Sequence, residues 1–230
     1  MMIKEEKSVG IDQLDEHPVF RVQALRHLTK SAYVLRFDRN NMEFIAGQHL
    51  SVGLAGDPQA REYSIYSSVN DPYLEILVKE VENGIVSKRL KRVKPGDELR
   101  VTGPMGFFKL KKDRRSEKPH LFVGTGTGIS PFHSFIKSYP ELNYQLIHGV
   151  RHVEEAYEKD EYPPGRYTLC TSRDRKGNFS GRTSDYLKTQ NFSSDTEVYL
   201  CGNCDMIFEV YDILTDKGIP TENIHTEVYF

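Results

Sequence analysis

Cysteine is scarce in this chain. Three residues in 230, Cys170, Cys201 and Cys204, are too few for a disulfide framework, so a reducing, cytoplasmic setting is expected. Long apolar runs are missing too, and none approaches the ~20 residues that a membrane-spanning helix needs. The opening stretch, MMIKEEKSVGIDQLDEHP, lacks the apolar centre of a secretory signal. Net charge is small. A formal charge of −2 gives no general attraction to nucleic acid. Internal repeats and low-complexity tracts are absent.

What is present is an ordinary soluble composition. Hydrophobic residues make up 38% and charged residues 28%, enough to bury a proper core. The length allows one large domain or two of about 110 residues. Charge is locally uneven: SKRLKRVK (87–94) and KLKKDRR (109–115) are strongly basic. Such runs are either solvated faces or a landing patch for an acidic partner.

The chain divides by pattern. Residues 1–16 are polar and acidic and form an N-terminal arm. Residues 17–114 hold six short runs of period-two alternation: VFRVQALRHL, AYVLRFD, HLSVGL, REYSIYSS, LEILVKEV and DELRVTG. Turn signals separate them, and one helical piece, GIVSKRLKRV, interrupts them. Short strands at this spacing predict an antiparallel β-barrel. After the charged link KKDRRSEKP the pattern changes. In residues 115–230 the strands HLFVG, YQLIHGV, RYTLCTS and EVYLCG alternate with helices SPFHSFIKSYP, VEEAYEKDE, RTSDYLKTQ and CDMIFEVYDILTDKG. That alternation predicts an α/β Rossmann-like parallel sheet.

Four stretches carry candidate chemistry. VGTGTGISPF joins a strand to a helix through Gly124, Thr125, Gly126, Thr127 and Gly128. Backbone N–H groups and the positive helix end meet there, which favours a phosphate or pyrophosphate; a tight turn with no ligand is the bland alternative. No GK[ST] follows, so this is not a P-loop. TSRDRKGNFSGR brings Ser172, Arg173 and Arg182 to the edge where open α/β sheets bind ligands. A basic cluster there suits a ribose 2′-phosphate. REYS places Arg61 and Tyr63 on one strand face and Ser64 on the other. NGIVSKRL can start a helix with Ser87 in its first turn. Cys201 and Cys204 form C-x-x-C without a second pair, so no metal site is expected. Cys170, in an apolar strand, reads as core.

In their order along the chain, REYS, NGIVSKRL, GPMGFF, VGTGTGISPF, TSR, CGNCDM and the terminal TEVYF resemble the ferredoxin–NADP reductase family. HGVR and SGR are most similar to the bacterial ferredoxin/flavodoxin–NADP reductases. The resemblance implies a Greek-key FAD-binding barrel followed by an NADP-binding α/β domain, in a monomer. It implies that Arg61 pairs with the FAD pyrophosphate, Tyr63 packs against flavin and ribityl chain, and Ser64 hydrogen-bonds near the flavin N5. Gly84, Ile85, Val86 and Ser87 would cap the FAD phosphates. Gly124, Thr125, Gly126 and Thr127 would cradle the nicotinamide dinucleotide. Arg151, Ser172, Arg173 and Arg182 would hold its 2′-phosphate end. Cys201 and Gly202 would line the nicotinamide pocket with Glu227 nearby. Tyr229 would cover the flavin, and Phe230 is an additional terminal aromatic placed toward the FAD adenine.

The activity so implied moves hydride between NADPH and FAD, and single electrons between FAD and ferredoxin or flavodoxin. Two other readings stand beside it. One is an NAD(P)H–flavin reductase or the reductase component of an oxygenase system. Three scattered cysteines exclude a fused 2Fe–2S cluster, which needs four ligands. The other is a non-catalytic nucleotide-binding or electron-transfer subunit.

Overall fold

A computed structural model of the chain describes residues 18–111 and 118–229. The N-terminal arm, most of the charged link and Phe230 lie outside the described residues.

The first half is antiparallel. Its strands are β1 (Phe20–His27), β2 (Ala32–Asp38), β3 (His49–Leu54), β4 (Arg61–Ser64), β5 (Tyr73–Lys79) and β6 (Glu98–Met105), in the order β4-β3-β6-β1-β2-β5. A bridge between Ile65 and Ile76 joins the two outer strands and closes the barrel. The alternation seen in the sequence fills its interior with Phe20, Val22, Tyr33, Leu35, Phe37, Leu50, Val52 and Ile76. Between β5 and β6 the helical piece forms α1 (Val86–Leu90), which turns Val86 and Leu90 into that core.

The second half is parallel throughout. Strands β7 (His120–Thr125), β8 (Tyr144–Val150), β9 (Tyr167–Thr171), β10 (Phe179–Ser180), β11 (Glu197–Gly202) and β12 (Ile224–Val228) lie in the order β10-β9-β8-β7-β11-β12. Helices α2 (Ser130–Ser138), α3 (Thr183–Lys188) and α4 (Cys204–Asp216) connect them. Pro131 sits in the first turn of α2, where its missing N–H costs nothing. Asn203 caps α4 by accepting the Met206 N–H (3.2 Å). Ile207, Val210 and Leu214 recur at helical spacing and are buried. Strand order reverses between β8-β7 and β7-β11, so the crevice at the C-terminal end of β7 is the switch point of the sheet.

One expectation fails. VEEAYEKDE is not a helix. It forms two short 3-10 turns, Val153–Glu155 and Lys159–Glu161. Between them Glu158 adopts φ +49, a left-handed conformation that no helix continues through. Tyr157 is buried, while Glu155 and Glu158 are drawn toward the barrel. Glu155 pairs with Lys79 (2.7 Å), and Glu158 accepts from Arg26 Nε (3.1 Å) and from the Tyr66 hydroxyl (2.7 Å). Contacts to the other domain outweigh helix propensity in this stretch.

The halves share one core. Ala32, Val34, Tyr66 and Phe108 pack in the same cluster as Phe122, Phe132, Phe135 and Tyr199. Phe108 meets the Tyr199 ring edge-on at 5.6 Å. Tyr66 stacks flat on His133 at 3.7 Å, and the Tyr66 carbonyl lies 2.7 Å from His133 Nδ1.

Candidate active site

Four of the expected site residues come together at the C-terminal edge of β11 and β12, facing β4. Parallel pairing sets Cys201 beside Glu227 and Gly202 beside Val228. The Tyr229 N–H donates to the Gly202 carbonyl at 2.8 Å, which fixes the chain end next to the switch point. From there the Tyr229 hydroxyl donates to Ser64 Oγ (2.7 Å), and Ser64 donates to Glu227 Oε2 (3.1 Å). Cys201 Sγ lies 4.0 Å from the same Oε2. Ser64 and Cys201 are buried, and Glu227 and Tyr229 are half-buried. Residues 163 and 165 positions apart thus form one hydrogen-bonded chain across the domain boundary.

Burial sets the protonation of this group. It pushes the Glu227 carboxyl up to about 7, against the lowering effect of the Ser64 hydrogen bond. Burial also raises the Cys201 thiol and the Tyr229 phenol well above their ordinary values, so both stay protonated. Glu227 is therefore the group here that can exchange a proton near neutral pH. A cleft of about 300 Å³ between Phe107, Phe108, Lys109 and His225, Thr226, Glu227 opens onto it.

The glycine turn lies one strand away. Gly128 is pressed against β11: a Cβ there would stand 2.4 Å from the Cys201 carbonyl. Gly126 has φ +54, and a Cβ on it would meet nothing within 4 Å. The turn thus packs closely on one side and is open on the other. Thr125 Oγ1 accepts the Asn203 N–H (3.1 Å), tying the turn to the start of α4. An open, amide-lined bend at a switch point fits a pyrophosphate.

Arg151, Ser172 and Arg173 follow β8 and β9, and the Arg173 N–H donates to the Arg151 carbonyl at 3.0 Å. Arg182 follows β10 at the head of α3. All three guanidinium groups are exposed, and among the described residues no ion pair engages them. Asp174 stands among them, its carboxylate accepting the Val153 N–H (2.6 Å).

In the barrel, Arg61 and Glu62 are exposed, Tyr63 is half-buried and Ser64 buried, so burial deepens along β4 toward the site. Gly84 and Ile85 lead into α1. Val86 is core, and Ser87 Oγ accepts the Val81 N–H (3.1 Å), so that hydroxyl braces its own loop. The β3–β4 loop and Arg89 border an open surface depression of about 580 Å³. Gln59 Oε1, buried and without a partner among the described residues, belongs to its lining.

Cations in the first basic stretch are largely engaged: Lys88 with the Glu82 carbonyl, Arg89 with Asp57, and Lys91 with Glu80 (2.5 Å). In the second, Lys111 pairs with buried Glu197 at 3.3 Å, and residues 112–115 lie outside the described ones. All three cysteines are free thiols, and Cys170 is buried core, its thiol raised by that burial. Sequence reasoning missed His148, whose ring sits beneath the glycine turn, and the pairing of Tyr66 with His133 and Glu158. A histidine amid the apolar run YQLIHGV was the available signal for the first.

Comparison with known proteins agrees with this fold. Residues 20–110 match the model of an oxidoreductase FAD-binding domain, and residues 122–211 that of an oxidoreductase NAD-binding domain. The chain is 37% identical over 235 residues to a ferredoxin–NADP reductase of Pseudomonas aeruginosa, with 86% of this chain and 89% of that protein covered. This chain belongs to the ferredoxin–NADP reductase family. It is an FAD- and NAD-binding oxidoreductase. Another family relative, the toluate 1,2-dioxygenase electron transfer component of Pseudomonas putida, is 27% identical over 225 residues; these span 90% of this chain and 66% of that protein. The fold is shared with a ferredoxin NADP+ reductase from Neisseria gonorrhoeae solved with FAD and NADP (TM-score 0.79, 22% identity, 93% of this chain and 98% of that one).

Among the described residues, no helix is long and apolar enough to cross a membrane.

Proposed function

We propose that this family member moves hydride from NADPH to FAD and passes electrons singly to ferredoxin or flavodoxin. The observation that carries this reading is the chain Tyr229–Ser64–Glu227, with Cys201, closing the gap between barrel and parallel sheet. A module that only bound nucleotide would have no use for that junction. FAD, when bound, supplies the redox chemistry by taking up a hydride and giving up electrons one at a time.

The chain's own residues supply the rest. Arg61 pairs with the FAD pyrophosphate, the segment Gly84, Ile85, Val86 and Ser87 closes over it, and Tyr63 packs against flavin and ribityl chain. Ser64 keeps a hydroxyl where hydride arrives, held from one side by Tyr229. Glu227 holds a proton on its carboxyl and can release it near neutral pH. Cys201 and Gly202 line the nicotinamide position. Tyr229 covers the flavin and gives way to nicotinamide by releasing its hydrogen bond to Ser64. Gly124, Thr125, Gly126 and Thr127 hold the dinucleotide pyrophosphate, and Arg151, Ser172, Arg173 and Arg182 its 2′-phosphate.

A second reading, the reductase component of an oxygenase, is favoured by the likeness to the toluate 1,2-dioxygenase electron transfer component. It uses the same site and differs in the carrier. The two separate in a coupled assay with NADPH and ferredoxin, flavodoxin or an oxygenase component as acceptor, with free flavin as the reference. Reduction of ferredoxin or flavodoxin at least about tenfold faster than of free flavin is expected, with the rate falling at high salt. Free flavin reduced as fast as either carrier would overturn the carrier assignment.

A further inference from the structure

His148 lies in the middle of β8 and is fully buried. Neither ring nitrogen is idle. Nε2 is 2.8 Å from the Gly126 carbonyl oxygen, and Nδ1 is 2.9 Å from the Tyr167 hydroxyl. A carbonyl can only accept, so Nε2 carries the proton and Nδ1 accepts from Tyr167. Burial lowers this imidazole to about 4, so the neutral tautomer persists at working pH.

The partner is what gives His148 meaning. Gly126 is the left-handed residue of the glycine turn, and its carbonyl is drawn down toward the sheet. In a trans peptide the C=O and the following N–H point in opposite directions. Holding the Gly126 oxygen inward therefore aims the Thr127 N–H outward, away from the sheet. The neighbouring peptide is held as well, since Ser130 Oγ donates to the Thr127 carbonyl at 2.7 Å. Donors fixed before the ligand arrives bind it without a further ordering cost.

We infer that His148 is a positioning residue: through the Gly126 carbonyl it fixes the peptide whose N–H faces the dinucleotide pyrophosphate. This rests on the reading that the glycine turn holds that pyrophosphate. His148 itself touches neither nucleotide nor flavin in this arrangement. Its effect falls on the diphosphate and leaves the adenosine 2′-phosphate end alone.

Two amide substitutions separate its two bonds. In His148→Asn the short side chain can still face Tyr167 and cannot reach Gly126. In His148→Gln the longer amide can donate to Gly126. The measurement is calorimetric affinity of the FAD-loaded protein for NADP+ and for 2′-AMP, which lacks the diphosphate. For His148→Asn, NADP+ should bind about tenfold more weakly, the scale of one lost hydrogen bond at a preorganised site. Its 2′-AMP affinity should stay within about twofold, which also reports that the domain is folded. His148→Gln should recover most of the NADP+ affinity. Unchanged NADP+ affinity in His148→Asn would overturn the inference alone. Equal weakening of both ligands would do the same, by showing a merely structural role. A wild-type protein that bound NADP+ no more tightly than 2′-AMP would remove the underlying reading as well.

Discussion

Glu227 has its carboxyl pushed up from 4.5 to about 7, with burial as the largest cause and Glu62 adding to the rise. An acid raised in the folded state binds its proton more tightly there than in the unfolded chain. The stability it lends is complete below about 4.5 and is lost as pH climbs through about 7. Glu227→Gln should flatten this slope and melt at a higher temperature than the parent above neutral pH, measured by thermal unfolding from pH 5 to 8. A variant that kept the slope of the parent would show that Glu227 is not the group responsible. The Ser64, Cys201 and Tyr229 positions were readable from motif order, because each sits in a short, recognisable stretch. The hydrogen bonds among them were not, since strand periodicity carries no information about contacts 163 residues apart. His148 was hidden for the same reason: in sequence it is one polar letter in an apolar strand.

In the proposed reaction, loops and strand ends decide nucleotide choice. Arg151, Arg173 and Arg182 come from the ends of β8 and β9 and the head of α3, and their charges are left exposed at one edge of the sheet. Asp174 between them turns its carboxylate to backbone N–H groups of Val153 and Lys176. Replacing Arg173 and Arg182 together by Ala should therefore lower the NADPH/NADH ratio of kcat/KM by about tenfold or more, the worth of one or two charge-assisted bonds. An unchanged ratio would take the 2′-phosphate away from this edge. Alternation made the six barrel strands and four of the six parallel strands legible. The two-residue β10 is too short to show a period. β12, the sequence IHTEV, mixes exposed and buried positions without alternation. The stretch 153–161 read as helix because its acidic residues are good helix formers; ion pairs to the barrel decide its actual course.

At the scale of the molecule, the two domains are joined by both apolar and polar contacts. They share an apolar cluster, and around it Arg26, Glu158, Tyr66, His133, Glu161 and Lys137 form a continuous polar belt. The His133 hydrogen bond and Lys137 hold the Glu161 carboxyl down to about 2, so Glu161 stays ionised over the working range. This joint brings the end of β4 and the end of β11 together, and with them the hydride-accepting and hydride-donating sides of the proposed reaction. In the proposed reaction this joint passes hydride from NADPH to FAD. The most direct test of that step is anaerobic titration of the yellow protein with NADPH and then NADH, read in the visible flavin band. Bleaching by NADPH at a concentration at least about tenfold lower than by NADH is expected, in line with the arginine edge. A protein that takes up FAD yet is bleached by neither nucleotide would contradict the account.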